Sequence, residues 1–197
     1  MAYFLDGEGS ALKALAEYQL GIGEDPDQSF EAATADYARA LERNPTYFYS
    51  EANLAVLHAM RAEFEDESGR DPTTRATASL VAAQRAISIK PDMFVAHLAA
   101  AGAQLTLGRH DLSRDVGPMP AIARACSALD RCFEINPTST SALATEGLLL
   151  SLEARWRMRN GEDPAPWFEQ ARAKLGAALD QNSSSEPVLS QRTRFRP

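Results

Sequence analysis

The chain has 197 residues, 45% of them hydrophobic and 24% charged, which suits a folded protein with a real core and excludes disordered, collagen-like and low-complexity classes. Its 20 basic and 27 acidic side chains leave a net charge of -7, a surface that repels nucleic acid and anionic membranes. The longest weakly polar stretch, 94–107, is too short to span a bilayer and contains His97 and Gln104.

The first residues, MAYFLDGEGS, lack the basic start and apolar run of a signal peptide, so a cytoplasmic protein is expected. Cys126 and Cys132 fit that location. Six residues apart on one helix, they lie about 9 Å apart along its axis, too far for a disulfide and at the wrong spacing for a CxxC site.

A repeat organises the rest. Asn44-Pro45, Lys90-Pro91 and Asn136-Pro137 follow at a spacing of 46, and the next step, Asn182-Ser183, keeps the Asn and loses the Pro. Gly23-Glu24-Asp25-Pro26, Gly69-Arg70-Asp71-Pro72 and Gly161-Glu162-Asp163-Pro164 obey the same period. The third-copy member, Asp115-Val116-Gly117-Pro118, exchanges Gly and Asp. In Gly-x-Asp-Pro, the Gly suits the left-handed residue that ends a helix, the Asp caps the next helix, and the Pro fits its first turn. The other marker closes that helix, because Pro cannot continue it. Thr46, Asp92, Thr138 and Ser184 come next and are N-cap types, so a new helix is predicted at each. Every unit is then a helix A followed by a helix B.

Columns along the units agree. Helix B carries Ala33, Ser79, Ala125 and Ala171; then Tyr37, Ala83, Leu129 and Leu175; then Ala40, Ala86, Cys132 and Ala178; then Leu41, Ile87, Phe133 and Leu179. Spacings of 4, 3 and 1 form one apolar helix face. Helix A carries a small column, Gly9, Ala55, Ala101 and Gly147, where a neighbour can approach closely. Near its end an aromatic column runs Tyr18, Phe64 and Trp156, with His110 in the third copy.

These columns resemble the tetratricopeptide repeat, whose helix B series appears here as Ala33, Tyr37, Ala40, Leu41 and Pro45. The resemblance covers nearly the whole chain to residue 182. Its unit is usually about 34 residues, so this one is longer, and the surplus, in stretches such as 61–69, predicts a lengthened helix A. The long unit, with Gly-x-Asp-Pro after an Ala-Glu-aromatic segment, also resembles the repeat arrays C-terminal to bacterial Hanks-type serine/threonine protein kinases. The chain has no glycine-rich loop, His-Arg-Asp or Asp-Phe-Gly of a kinase. If it belongs to such a kinase, it is the repeat region alone, and Met1 is expected to fall inside a first helix A already under way.

The resemblance implies an all-α, right-handed α-solenoid of four two-helix units, at about 1–45, 46–91, 92–137 and 138–182, with a tail at 183–197 that frays or caps weakly. Val188 and Leu189 are expected to dock that tail on the last unit. It implies a groove lined by the A helices, at Tyr49, Asn53 and Val56, at Val95, Ala99 and Gly102, and at Ser141, Thr145 and Leu148. This surface is neutral and apolar. Only Asn53 matches the Lys, Arg and Asn pattern that clamps a carboxylate tail, so an apolar helix or extended peptide fits better.

No chemistry is expected. His58, His97 and His110 form no metal-ligand pattern, no cofactor is called for, and Glu65, Asp66 and Glu67 read as a solvated helix end. Trp156 and Trp167 read as core. Gly108 predicts an early end to the third helix A, leaving 108–117 as a loop. The function expected is a non-enzymatic protein–protein interaction module, the recruiting or regulatory arm of a bacterial signalling kinase. The alternatives are self-association, as a homodimer or larger scaffold, and a free-standing adaptor.

Overall fold

The period of the sequence returns as a period of helix boundaries. The computed structural model describes residues 2–185 and contains eight helices: α1 (Ala2–Ile22), α2 (Asp27–Arg43), α3 (Phe48–Glu67), α4 (Thr73–Ile89), α5 (Phe94–Ser113), α6 (Met119–Ile135), α7 (Thr140–Arg159) and α8 (Ala165–Ser185). Among the described residues there is no strand. The starts of α2, α4, α6 and α8, and those of α3, α5 and α7, are each 46 residues apart. The surplus lies in helix A, which runs 20 residues in α3, α5 and α7. The protein is all-α.

Each turn from A to B is built from the backbone. Gly23, Gly69 and Gly161 have φ of 76°, 72° and 75°, the left-handed conformation that lets the chain reverse. The following N–H returns to the last turn of the helix, Glu24 N to the Gln19 carbonyl at 2.9 Å and Arg70 N to that of Glu65 at 2.7 Å. The Asp then caps helix B: Asp25, Asp71 and Asp163 accept the N–H of Asp27, Thr73 and Ala165 at 2.9, 2.9 and 3.0 Å. In the third copy Asp115 takes the left-handed position itself, with φ of 61°, and its own N–H and that of Val116 make the same bonds. A side chain there strains the backbone, and Asp115→Gly is expected to stabilise the protein by about 1 kcal/mol in chemical denaturation. The exposed 3.6 Å contact from Asp115 to Arg159 is worth less than that.

The turns from B to A differ from expectation. Thr46, Asp92 and Thr138 do not cap the A helices, which begin two residues later. Asn44 Oδ1 instead accepts from Thr46 N and Oγ1, at 3.2 and 3.0 Å, and Asn136 does the same for Thr138. These residues belong to a Pro-containing β-turn closed by Tyr47 N to the Asn44 carbonyl at 3.1 Å. Among α3, α5 and α7, Ser139 before α7 caps with its side chain, accepting from Ala142 N at 3.2 Å, and the residues before α3 and α5 do not. In this register helix A starts at position 2, where α1 is first described, and Met1 lies outside the described residues.

Two further expectations change. Ser184 starts no helix, because α8 runs through it to Ser185 where no Pro stands at 183 to stop it. The predicted tail thus opens as helix; Val188, Leu189, Arg192, Arg194 and Arg196 lie outside the described residues. The loop predicted at 108–117 is helical as far as Ser113. Gly108 is buried, and a Cβ there would sit 2.8 Å from Leu152 Cδ2. It is a packing glycine rather than a breaker.

Neighbouring helices pack as pairs, α1 on α2 through α7 on α8, and each pair packs on the next, with α3 on α5 and α5 on α7. The small column meets large partners. A Cβ on Gly9 would lie 2.8 Å from the Tyr37 ring, and one on Gly147 would lie 2.7 Å from Leu175 Cγ. The core is distributed along the chain in separate clusters: Leu57 joins Phe30, Ala33 and Tyr37, while Leu149 and Leu152 join Ile122, Ala125 and Leu129.

Candidate functional site: an apolar cleft across three helices

Helices α3, α5 and α7 bring six of the nine predicted groove residues together. Val56, Val95, Ala99, Gly102, Thr145 and Leu148 line one cleft of about 310 Å³, with Ala59, Met60, Leu98, Leu105 and Thr106. Its hydroxyls are satisfied by their own helices. Thr145 Oγ1 donates to the Ser141 carbonyl at 2.9 Å and Thr106 Oγ1 to that of Gly102 at 3.2 Å. What remains exposed to a ligand is hydrocarbon, bounded at one end by a 2.7 Å ion pair from Arg109 to Glu63. A cleft of this kind can hold apolar side chains and offers no reacting group.

The other three residues lie elsewhere. Tyr49 is half exposed and stacks with Phe48 and Tyr47, at ring-centroid distances of 4.3 and 5.7 Å. Asn53 donates to Asp6 Oδ1 at 3.2 Å, an oxygen that also receives Ser50 Oγ at 2.7 Å. Ser141 belongs to a separate apolar cleft of about 470 Å³ with Thr140, Ala144, Leu175, Ala178 and Leu179. Sequence reasoning missed Met60, Glu63, Leu98 and Arg109. Steps of 4 and 3 from Val56 reach Met60 and Glu63 on the same helix face, so extending the pattern toward the C-terminal ends of the A helices finds them. Met60 and Glu63 also line a third cleft of about 700 Å³, with Leu20 and Phe64 beside the acidic Glu24, Asp25 and Glu67.

The titratable groups are held by packing. His58 sits in α3 with a buried Nδ1 that has no partner; burial first, then the charges of Arg75 and Arg61, lower its pKa to about 4. His97 Nε2 is 2.9 Å from the Pro91 carbonyl oxygen. His110 lies between Asp66 and Asp71, at 3.8 and 3.6 Å. Glu65 and Asp66 are not a solvated end: Glu65 is buried between Arg61 and Arg75 at 3.4 and 3.5 Å, and burial raises the Asp66 pKa. Burial also raises both thiols, Cys132 to about 11, which leaves neither activated as a nucleophile. Trp156 packs on the α5–α7 core, and Trp167 lies under the Arg157 guanidinium at 3.9 Å.

Among the described residues no group of three His, Cys, Asp or Glu side chains could hold a metal ion, and no helix is long and apolar enough to cross a membrane. Fold and cleft together define an all-helical protein of serially packed helix pairs with an apolar surface cleft. No family model matches the chain, and no curated protein does.

Proposed function

We propose that this chain is a non-catalytic protein–protein interaction module, a right-handed solenoid of four tetratricopeptide-like units whose A helices hold an apolar helix or extended peptide of another protein. Its cellular role in this reading is the recruiting or regulatory repeat region of a bacterial serine/threonine kinase, in the cytoplasm. The observation that carries the binding role is the cleft of Val56, Val95, Ala99, Gly102 and Leu148, in which three A helices expose hydrocarbon and the hydroxyls of Thr106 and Thr145 bond to carbonyls of their own helices. The identical period of helix starts supports the repeat assignment. The kinase link is tested by the reading frame upstream of Met1: a kinase domain there supports it, and another domain removes it.

Gly102 gives the direct test of the cleft. A Cβ at this position meets nothing within 4 Å, so Gly102→Ala is expected to raise stability by about 1 kcal/mol, the helix propensity difference. Gly102→Trp fills the cleft and is expected to abolish binding of amphipathic helical peptides, followed by fluorescence anisotropy, with an unchanged circular dichroism spectrum. Unchanged peptide affinity in Gly102→Trp removes the cleft from the binding role.

A further inference from the structure

Among the described residues, α1 and the α7–α8 pair carry the two halves of an interior interface, each with exposed apolar side chains. From α3 onward, every A helix closes over the pair before it. The positions that do so are Ser50, Ala96 and Ala142, all fully buried, and Leu57, Ala103 and Leu149, also buried. In α1 the same two positions are Phe4, 73% exposed, and Ala11, exposed as well. With Leu15, Tyr18 and Ile22, also exposed, they form one stripe at helical spacing. At the far end the pattern is inverted. Phe30, Ala76 and Ile122 are buried beneath the following A helix, but their counterpart Phe168 is 40% exposed. Leu41, Ile87 and Phe133 are half-buried, and their counterpart Leu179 is 68% exposed.

Size and charge say what covers these faces. Ser50 lies on Asp6, Ala96 clusters with Ala52, and Ala142 packs beside Leu98. One step further along the period, the A-helix position is filled by Phe4 of a second copy and its partner is Ala144. Ala144 lines the 470 Å³ apolar cleft with Leu175 and Leu179. The largest residue of the first column therefore meets an open apolar cleft at the second. The charge column behaves alike. Glu63 and Arg109 occupy one position in successive units and pair at 2.7 Å. That position is Glu17 in α1 and Arg155 in α7, both exposed and both without an ion pair among the described residues. By the repeat register the neighbouring A helix presents Glu17 with Glu63 and Arg155 with Arg109, residues of their own sign. Only a second copy sets Glu17 against Arg155. A symmetric contact through α1 would instead bring Glu8 and Glu17 of two copies together.

We infer that copies of this chain associate head to tail, the α1 face of one docking on the α7–α8 face of the next in the register of the internal repeat, with Phe4 in the Ala144–Leu179 cleft and Glu17 against Arg155. The inference rests on the repeat-array reading proposed above and is independent of the groove. A heterologous contact of this kind generates an open chain or a ring rather than a closed dimer.

The polarity of the contact makes it testable with the full chain by sedimentation velocity and multi-angle light scattering. Wild-type mass is expected to rise with concentration past that of a dimer. Phe4→Asp removes one face and Leu179→Asp the other, so each variant alone is monomeric. A mixture of the two forms a 1:1 dimer and stops there, because each copy keeps one working face. Glu17→Arg weakens association about fivefold to tenfold, and adding Arg155→Glu in the same chain restores it. All four positions are solvent-exposed, and unchanged helical dichroism identifies folded variants; the exchange of Glu17 and Arg155 alone carries the test if the Asp variants unfold. A full chain that is monomeric at every concentration, as it would be with residues 186–197 seated on the α8 face, overturns the inference. So does a mixture that stays monomeric, or a dimer indifferent to Leu179→Asp. Gly102→Trp leaves association intact, which separates failure here from failure of the groove.

Discussion

Replacing Tyr37 by alanine is expected to cost about 3–5 kcal/mol, the largest effect of any single substitution considered. The ring is fully buried in α2 and lies against the backbone of α1, where Gly9 has no side chain with which to refill the space. Leu57 of α3 belongs to the same cluster, so the cavity also loosens the contact between the first pair of helices and the next. The phenol adds a smaller loss, because its oxygen shares a 3.2 Å hydrogen bond with Ser10 Oγ. Burial raises its pKa to about 12 and so keeps the group neutral. Since the core is divided among successive pairs, the damage stays local in a serial array. Urea unfolding with residue-resolved hydrogen exchange reads both parts: amides of α1 and α2 lose protection, and those of α6 and α7 keep theirs. A uniform loss along the chain would show one cooperative core instead.

The helix boundaries were legible in the sequence because Pro and left-handed Gly act on the backbone itself, whatever packs around them. The period of 46 therefore locates the helices to within a residue or two. The errors fell where one residue type has two uses. Thr46 and Thr138 can cap a helix or serve a turn, and the carboxamides of Asn44 and Asn136 claim them for the turn. Gly108 can break a helix or let another approach, and Leu152 makes it the second. The site was half legible. The groove positions implied by the tetratricopeptide resemblance include Val56, Val95, Ala99, Gly102, Thr145 and Leu148, which the cleft brings together. Asn53 could not be placed that way, since its partner Asp6 lies 47 residues earlier. Tyr49, Val95 and Ser141 share one position in the first turn of their helices, and of these the cleft takes in Val95 of the middle helix. The acidic run at 65–67 looked like solvent-facing charge because the basic partner Arg75 comes from the next helix.

Acidification is expected to destabilise the native state through His58, by about 2 kcal/mol between about pH 8 and about pH 5. In the unfolded chain this imidazole takes a proton near its ordinary value of 6.5, whereas in the fold it resists protonation down to about 4. Between those values the unfolded state binds more protons, so stability falls as pH falls, and the loss levels off below the folded value. The cause is the surroundings of the ring: burial dominates, and the cationic Arg75 and Arg61 add to it. Its cleft also holds Glu51 beside Arg85, and burial raises the Glu51 pKa. A carboxyl shifted upward acts in the opposite sense, losing stability as pH rises through the range above 4.5. The raw pH curve of the wild type therefore mixes both. Comparison with His58→Gln isolates the imidazole, because glutamine keeps a polar side chain at the position and carries no titrating group. Urea unfolding free energies of the two proteins should diverge as pH drops, the variant gaining about 2 kcal/mol on the wild type by about pH 5. Parallel curves across that range would mean that the folded protein protonates His58 as readily as the unfolded chain does, and that the ring is better solvated than its packing between α3 and α4 allows.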